Sequence, residues 1–154
     1  MKFKQLILII LMFWTGMASA QNKFTQKFSD MDGVTSVFIS KAMLQMMPNM
    51  KTEGIDIGSI AGKLESILIL TTEKASISKM MKSELPRLAF SKSYEELMRV
   101  KDEGTNVTFY IKKKNNNKVS ELIMLVDEQP EFVYMQITGD MTLQDIQNIT
   151  KGKK

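Results

Sequence analysis

Methionine is the residue type here whose spacing comes closest to spelling out a chemistry. The chain holds 14 methionines in 154 residues. Met43, Met46, Met47 and Met50 crowd one stretch, and Met80 and Met81 form a second group. Thioethers are soft ligands that select Cu(I), and Met-x-x-Met running into Met-Pro-Asn-Met offers several at once. Two plainer readings compete. At helical spacing, Met43, Met46 and Met47 make the buried face of a helix, their flexible side chains filling gaps in a core. Left uncovered, they line a groove that adapts to an apolar ligand or a partner helix. The core reading leads and the groove follows; the metal reading is weakened further because no histidine or cysteine assists.

Carboxylates are the next candidates. Glu95-Glu96, Asp102-Glu103 and Asp127-Glu128 are adjacent pairs. Neighbours on a strand point to opposite faces, so such a pair does not converge on one substrate. A glycan hydrolase would need two acids about 5–10 Å apart across a cleft. Glu121 stands apart, since it interrupts an apolar run. It either projects outward at the start of its strand or is held by Arg99 or by a lysine on a neighbouring strand. Lys112, Lys113, Lys114 and Lys118 flank an expected hairpin tip, where lysines keep a strand edge from pairing with other chains. No glycine-rich loop accompanies them to cradle phosphate.

Composition narrows the rest. Absence of histidine removes the commonest general base and zinc ligand. Absence of cysteine removes thiol nucleophiles and disulfides. The formal charge of +4 includes Lys2 and Lys4. What remains is too small to argue for nucleic acid.

Those residues must be positioned by elements that the patterning predicts. Phe24 and Phe28, four apart, fit a short first helix ended by Asp32-Gly33. Val34 to Ile39 reads as a strand. Ser40 caps a helix that Pro48 ends. Residues 48–56 are expected as a loop, and Ile57, Ile60 and Ala61 as a helical turn. Ile67-Leu68-Ile69-Leu70 is an unbroken apolar run, which suits a central strand covered on both faces. Ile77, Met80, Met81, Leu85, Leu88 and Ala89 recur as on an amphipathic helix, with Pro86 breaking it.

The C-terminal half changes period. Tyr94 to Lys101 reads as a strand, with a turn at Asp102-Glu103-Gly104. Val107, Phe109 and Ile111 alternate with Asn106, Thr108 and Tyr110. Lys114 to Asn117 is a hairpin turn, Val119 to Val126 a strand, Glu128-Gln129-Pro130 a turn and Phe132 to Thr138 a fourth strand. Thr142-Leu143-Gln144-Asp145 resembles a capping box opening a helix with Leu143, Ile146 and Ile149 inward. The fold class is therefore α+β: a mostly antiparallel sheet of five to six strands with a four-stranded C-terminal meander and helices on one face.

The first twenty residues have the layout of a secretory signal peptide. Lys2 and Lys4 precede an apolar run from Leu6 to Trp14, and Ala18-Ser19-Ala20 supplies small residues for cleavage after Ala20. The run is shorter than the ~20 residues of a membrane span. Residues 21–154 then form a single domain, located in the periplasm or secreted.

Tyr94 to Asp102, Val107 to Ile111, Ser120 to Val126 and Ile137 to Met141 together resemble the exported domain-of-unknown-function family 4252 of Bacteroides-like bacteria. The resemblance covers nearly the whole chain after residue 20. It implies this fold, a Gram-negative host and a periplasmic or surface address. It implies no reaction, cofactor or site.

The function expected is a non-catalytic module that binds another protein or a small apolar ligand, with no cofactor, no nucleic acid and no membrane span after cleavage. The expected partner surface is Met43, Met46, Met47 and Met50 together with an exposed sheet face around Tyr94, Tyr110 and Tyr134.

Overall fold

The apolar run at Ile67–Leu70 decides the layering. Alternation sends Ile67 and Ile69 to one face of a sheet and Leu68 and Leu70 to the other. Both faces then need cover, and both receive it. The computed structural model describes residues 20–46, 51–52, 55–85, 93–115 and 117–150. Their elements are α1 (Ala20–Ser29), β1 (Thr35–Ser40), α2 (Lys41–Met46), β2 (Lys51–Thr52) and β3 (Ile55–Asp56), then a 3-10 turn at Ala61–Lys63 and β4 (Leu64–Thr72). There follow α3 (Ala75–Glu84), β5 (Glu95–Asp102), β6 (Thr105–Asn115), β7 (Lys118–Glu128), β8 (Glu131–Thr142) and α4 (Leu143–Thr150). Residues 1–19, Met47, Met50, Pro86, Leu88, Ala89 and residues 151–154 lie outside the described residues.

The main sheet has six strands in the order β1-β4-β8-β7-β6-β5, and every neighbouring pair is antiparallel. The meander is thus β5 to β8, with β4 docked on β8 and β1 on β4. The α+β class and the meander agree with the sequence reading. The expectation of helices on one face alone is corrected. On the first face, Ile67, Ile69, Phe109, Ile111, Leu122, Met124, Met135 and Ile137 pack with Leu44 of α2, with Ile57 and Ile60, and with Ile146 and Ile149 of α4. On the second, Leu70, Tyr110, Ile123, Phe132 and Tyr134 pack with Phe24 and Phe28 of α1 and with Ile77 and Met81 of α3. The segment expected as a loop also holds a small pairing, Lys51–Thr52 with Ile55–Asp56. Two-residue strands are too short to leave a period in a sequence.

Local chemistry ends the elements where the patterning places them. The hairpin of β5 and β6 turns on Glu103 (φ 40°) and Gly104 (φ 91°), between the paired Asp102 and Thr105. Two positive φ values in succession are what a primed two-residue turn uses. Asn115 Oδ1 accepts the N–H groups of Asn117 and Lys118 at 3.2 and 3.1 Å. Ser40 Oγ accepts from the N–H of Met43 at 3.4 Å, capping α2.

α4 opens on a reciprocal cap. The Thr142 N–H donates to Asp145 Oδ2 at 2.8 Å, and the Asp145 N–H donates to Thr142 Oγ1 at 3.1 Å. Lys63 Nζ, from the 3-10 turn, lies 2.9 Å from both Asp145 oxygens. Burial pushes the Asp145 carboxyl up, but the bonds from Thr142 and Lys63 outweigh that and hold it below its usual 3.8. A carboxyl lowered by folding adds stability above its unfolded pKa, and that stability is lost as pH falls through the folded value. Asp145→Ala is expected to cost about 1–3 kcal/mol near neutrality. The gap between the urea midpoints of variant and parent should narrow once the pH drops below 3.8. A gap unchanged in acid would show that the charge of Asp145 contributes nothing.

Candidate interaction surface

Glu121 is the natural first place to look, because a carboxylate within an apolar strand has to be held. On β7 it pairs with Thr138 of β8 on one side and with Lys112 of β6 on the other. Thr138 pairs with Ser66 of β4, and Ser66 with Ser40 of β1. One row of polar side chains therefore crosses the sheet: Ser40, Ser66, Thr138, Glu121, Lys112. Within it the Ser66 and Thr138 hydroxyls are 2.8 Å apart. The Tyr94 hydroxyl donates to Glu121 Oε2. Lys112 Nζ sits 5.7 Å from the Tyr94 ring centroid, a cation–π contact.

Arg99, the other partner expected for Glu121, is committed elsewhere. It binds Glu96 Oε2 at 2.7 Å. Burial, then the nearby Glu96, pushes the Tyr110 phenol up.

A cleft of about 360 Å³ opens beside this cluster, lined by Ser93, Tyr94, Glu95, Ile111, Lys112 and Lys113. Its lining acid, Glu95, and the neighbouring Glu121 are both engaged. Glu121 takes the Tyr94 hydroxyl, and Glu95 lies 2.9 Å from Lys113 Nζ. Among the described residues no group of three or more His, Cys, Asp or Glu is placed to hold a metal ion.

The opposite end differs. Among the described residues β1 is an edge strand, Thr-Ser-Val-Phe-Ile-Ser, with no ionisable side chain. It pairs with β4 over six successive residues without a bulge. Val37 and Phe38 are 43% and 67% exposed, and in the following helix Met43 and Met46 are 46% and 77% exposed. Among the described residues these are four of the seven exposed large hydrophobic side chains. The other edge, β5, carries Glu95, Glu96, Arg99, Lys101 and Asp102 and is bulged between Glu96 and Met98. Charges and bulges are how sheets keep an edge from pairing. β5 has both and β1 has neither.

The family model described as domain of unknown function (DUF4252) matches residues 28–149. The chain belongs to this family. No curated protein and no solved structure matches it. The DUF4252 match runs from Phe28 to Ile149, so it takes in the whole main sheet with β1. Among the described residues of this DUF4252 chain, no helix is long and apolar enough to cross a membrane.

The site residues expected from sequence fall into separate places. Met43 and Met46 are not a buried helix face. α2 is only six residues long and lays down Leu44 alone as its buried residue. Met47 and Met50 lie outside the described residues. The tyrosines do not form an exposed sheet face. Tyr110 and Tyr134 are buried in the cluster that includes Phe24 and Phe28 of α1 and Ile77 and Met81 of α3, and Tyr94 is half-buried against the same cluster. The Tyr134 ring lies 5.0 Å from that of Phe24. The methionines sit by the β1 edge, whereas Tyr94 and Tyr110 sit by the β5 edge, so the two sets do not meet. Val37 and Phe38 were not singled out from sequence. Their three-residue apolar run with Ile39 looks the same on an edge strand as on an inner one.

Proposed function

We propose that this DUF4252 chain is a non-catalytic interaction module, exported to the periplasm or cell surface, that binds protein by extending its sheet at β1. One observation carries the reading: an edge strand without charge, bulge or proline, with Phe38 two-thirds exposed upon it. Unpaired N–H and C=O groups along such an edge template another strand, and the flanking side chains give specificity. Met43 and Met46 add flexible apolar surface next to it. Export rests on the leader pattern of Lys2, Lys4, Leu6 to Trp14 and Ala18-Ser19-Ala20. A glycan hydrolase is the weaker reading, because the acids at the cleft are bonded to Tyr94 and Lys113. A small apolar ligand is also less well supported. The cleft lining is mostly polar, and the exposed apolar residues lie along a strand edge.

A photo-reactive amino acid placed at position 38 in the producing cell should give one discrete adduct on illumination. The same group at Leu97, 42% exposed on β5, should give none. Absence of an adduct at position 38, or equal labelling at both, would overturn the reading.

A further inference from the structure

We infer that the strand added to β1 is β1 of a second copy of this chain, antiparallel about a two-fold axis through Phe38. This rests on the sheet-extension reading above and names its partner.

The faces restrict the registers. In an antiparallel pair, residues directly opposite share a face. Val37 and Ile39 lie on the first face, paired with Ile69 and Ile67, whereas Ser36 and Phe38 lie on the second, paired with Leu70 and Leu68. A symmetric pairing that keeps faces together must therefore centre on a residue. Centred on Phe38, each phenylalanine meets its own copy, Val37 meets Ile39, and Ser36 meets Ser40. Every pair from Ser36 to Ser40 is apolar with apolar or hydroxyl with hydroxyl. Centred on Val37, Phe38 would meet Ser36 and Ile39 would meet Thr35, and every flanking pair is mixed.

Two rows of the sheet also continue in kind. The row Ile39, Ile67, Ile137, Leu122, Ile111 gains Val37 of the second copy. The row Ser40, Ser66, Thr138 gains Ser36 of the second copy, extending the contact already made at 2.8 Å by Ser66 and Thr138.

Charge agrees. No ionisable group lies on the six residues of β1, so pairing sets no like charges together. The exposed Asp30 and Asp32 precede one end, and Lys41, half exposed while holding Glu65 at 3.0 Å, follows the other. With Lys41 neutralised by Glu65, the Asp30 and Asp32 end of one copy meets no like charge at the Lys41 end of the other. The charged, bulged β5 stops the chain from polymerising β1 onto β5. The self-complementary edge then closes as a dimer, with one twelve-stranded sheet.

The chain has no cysteine, so introduced thiols read the register directly. Full chain carrying Phe38→Cys, oxidised in solution, should form a covalent dimer on a non-reducing gel. In the Phe38-centred register, Val37→Cys or Ser36→Cys alone places the two thiols about 8 and about 14 Å apart, beyond disulfide reach. Either should stay largely monomeric, whereas mixing Val37→Cys with Ile39→Cys should give the heterodimer. Sedimentation of the unsubstituted chain should show a dimer, and Phe38→Lys, at an exposed position, a folded monomer by circular dichroism. Cross-linking through Val37→Cys alone in place of Phe38→Cys would overturn the register. A monomer at every concentration, or a photo-adduct at position 38 with a mass other than twice the chain, would overturn self-pairing. The latter result would leave sheet extension standing with another protein. No adduct of any kind would end both.

Discussion

Replacing Phe28 with alanine is expected to lower the unfolding free energy by about 3–5 kcal/mol. Phe28 is fully buried, and its ring lies 4.8 Å from that of Phe24, which in turn packs on Tyr134. These aromatic contacts are what hold α1 on the second face. The ion pair of Lys27 and Glu84 also links α1 to α3, but both ends are substantially exposed. Such a pair contributes well under about 1 kcal/mol, so removing it cannot imitate the loss of the ring. Urea unfolding of Phe28→Ala beside Lys27→Ala would separate the two. A Phe28→Ala cost below about 1 kcal/mol would mean that α1 is not docked and that Tyr134 is covered in some other way.

That helix shows where the sequence stopped being legible. Local chemistry was readable: the alternation in β6, the asparagine turn, the Thr142–Asp145 cap and the apolar run in β4 all reappear in the structure. Each depends on neighbours a few residues away. What covers a face does not. Tyr110 alternates with Phe109 and Ile111 and so looked like the polar side of a half-buried strand. It is buried in the cluster that also holds Phe24, Phe28, Ile77 and Met81, far away in the chain. The Ile67–Leu70 run already demanded two covered faces, and that demand sat uneasily with placing the helices on one. The methionines failed the other way. Spacing of three and four fits a buried helix face, yet α2 is too short to bury more than Leu44. The edge position of β1 is not a property of its own residues at all, since it follows from β4 pairing with β8 on its far side. What the sequence does record, once the order is known, is the contrast between an uncharged edge and a charged one.

Gly139→Ala should carry the second large cost, about 2–3 kcal/mol, and it tests the register on which the β1 reading depends. Gly139 pairs with Leu64 where β4 begins, next to a register shift between Leu64 and Ser66. A Cβ built there would lie 2.4 Å from the Lys63 carbonyl oxygen and 2.9 Å from Leu64 Cα. Both are backbone atoms, so no side chain can turn aside and the strands themselves must separate. Glycine inside a strand marks such a close approach. The displacement would fall on Lys63, which clamps Asp145, and on the adjacent Thr138, which binds Ser66. Gly62, three residues before Glu65, supplies the contrast. Its Cβ would meet nothing within 4 Å, so Gly62→Ala should be neutral or stabilising by about 0.4–1 kcal/mol through the unfolded chain. If the two variants unfold at the same urea concentration, the backbone contact is not as close as described. If Gly139→Ala alone is weakened, the hydroxyl row out to Ser40 should loosen with it. The Phe38→Cys cross-link should then form more slowly in the Gly139→Ala background, since β1 takes its register from β4 and β4 takes its own from β8.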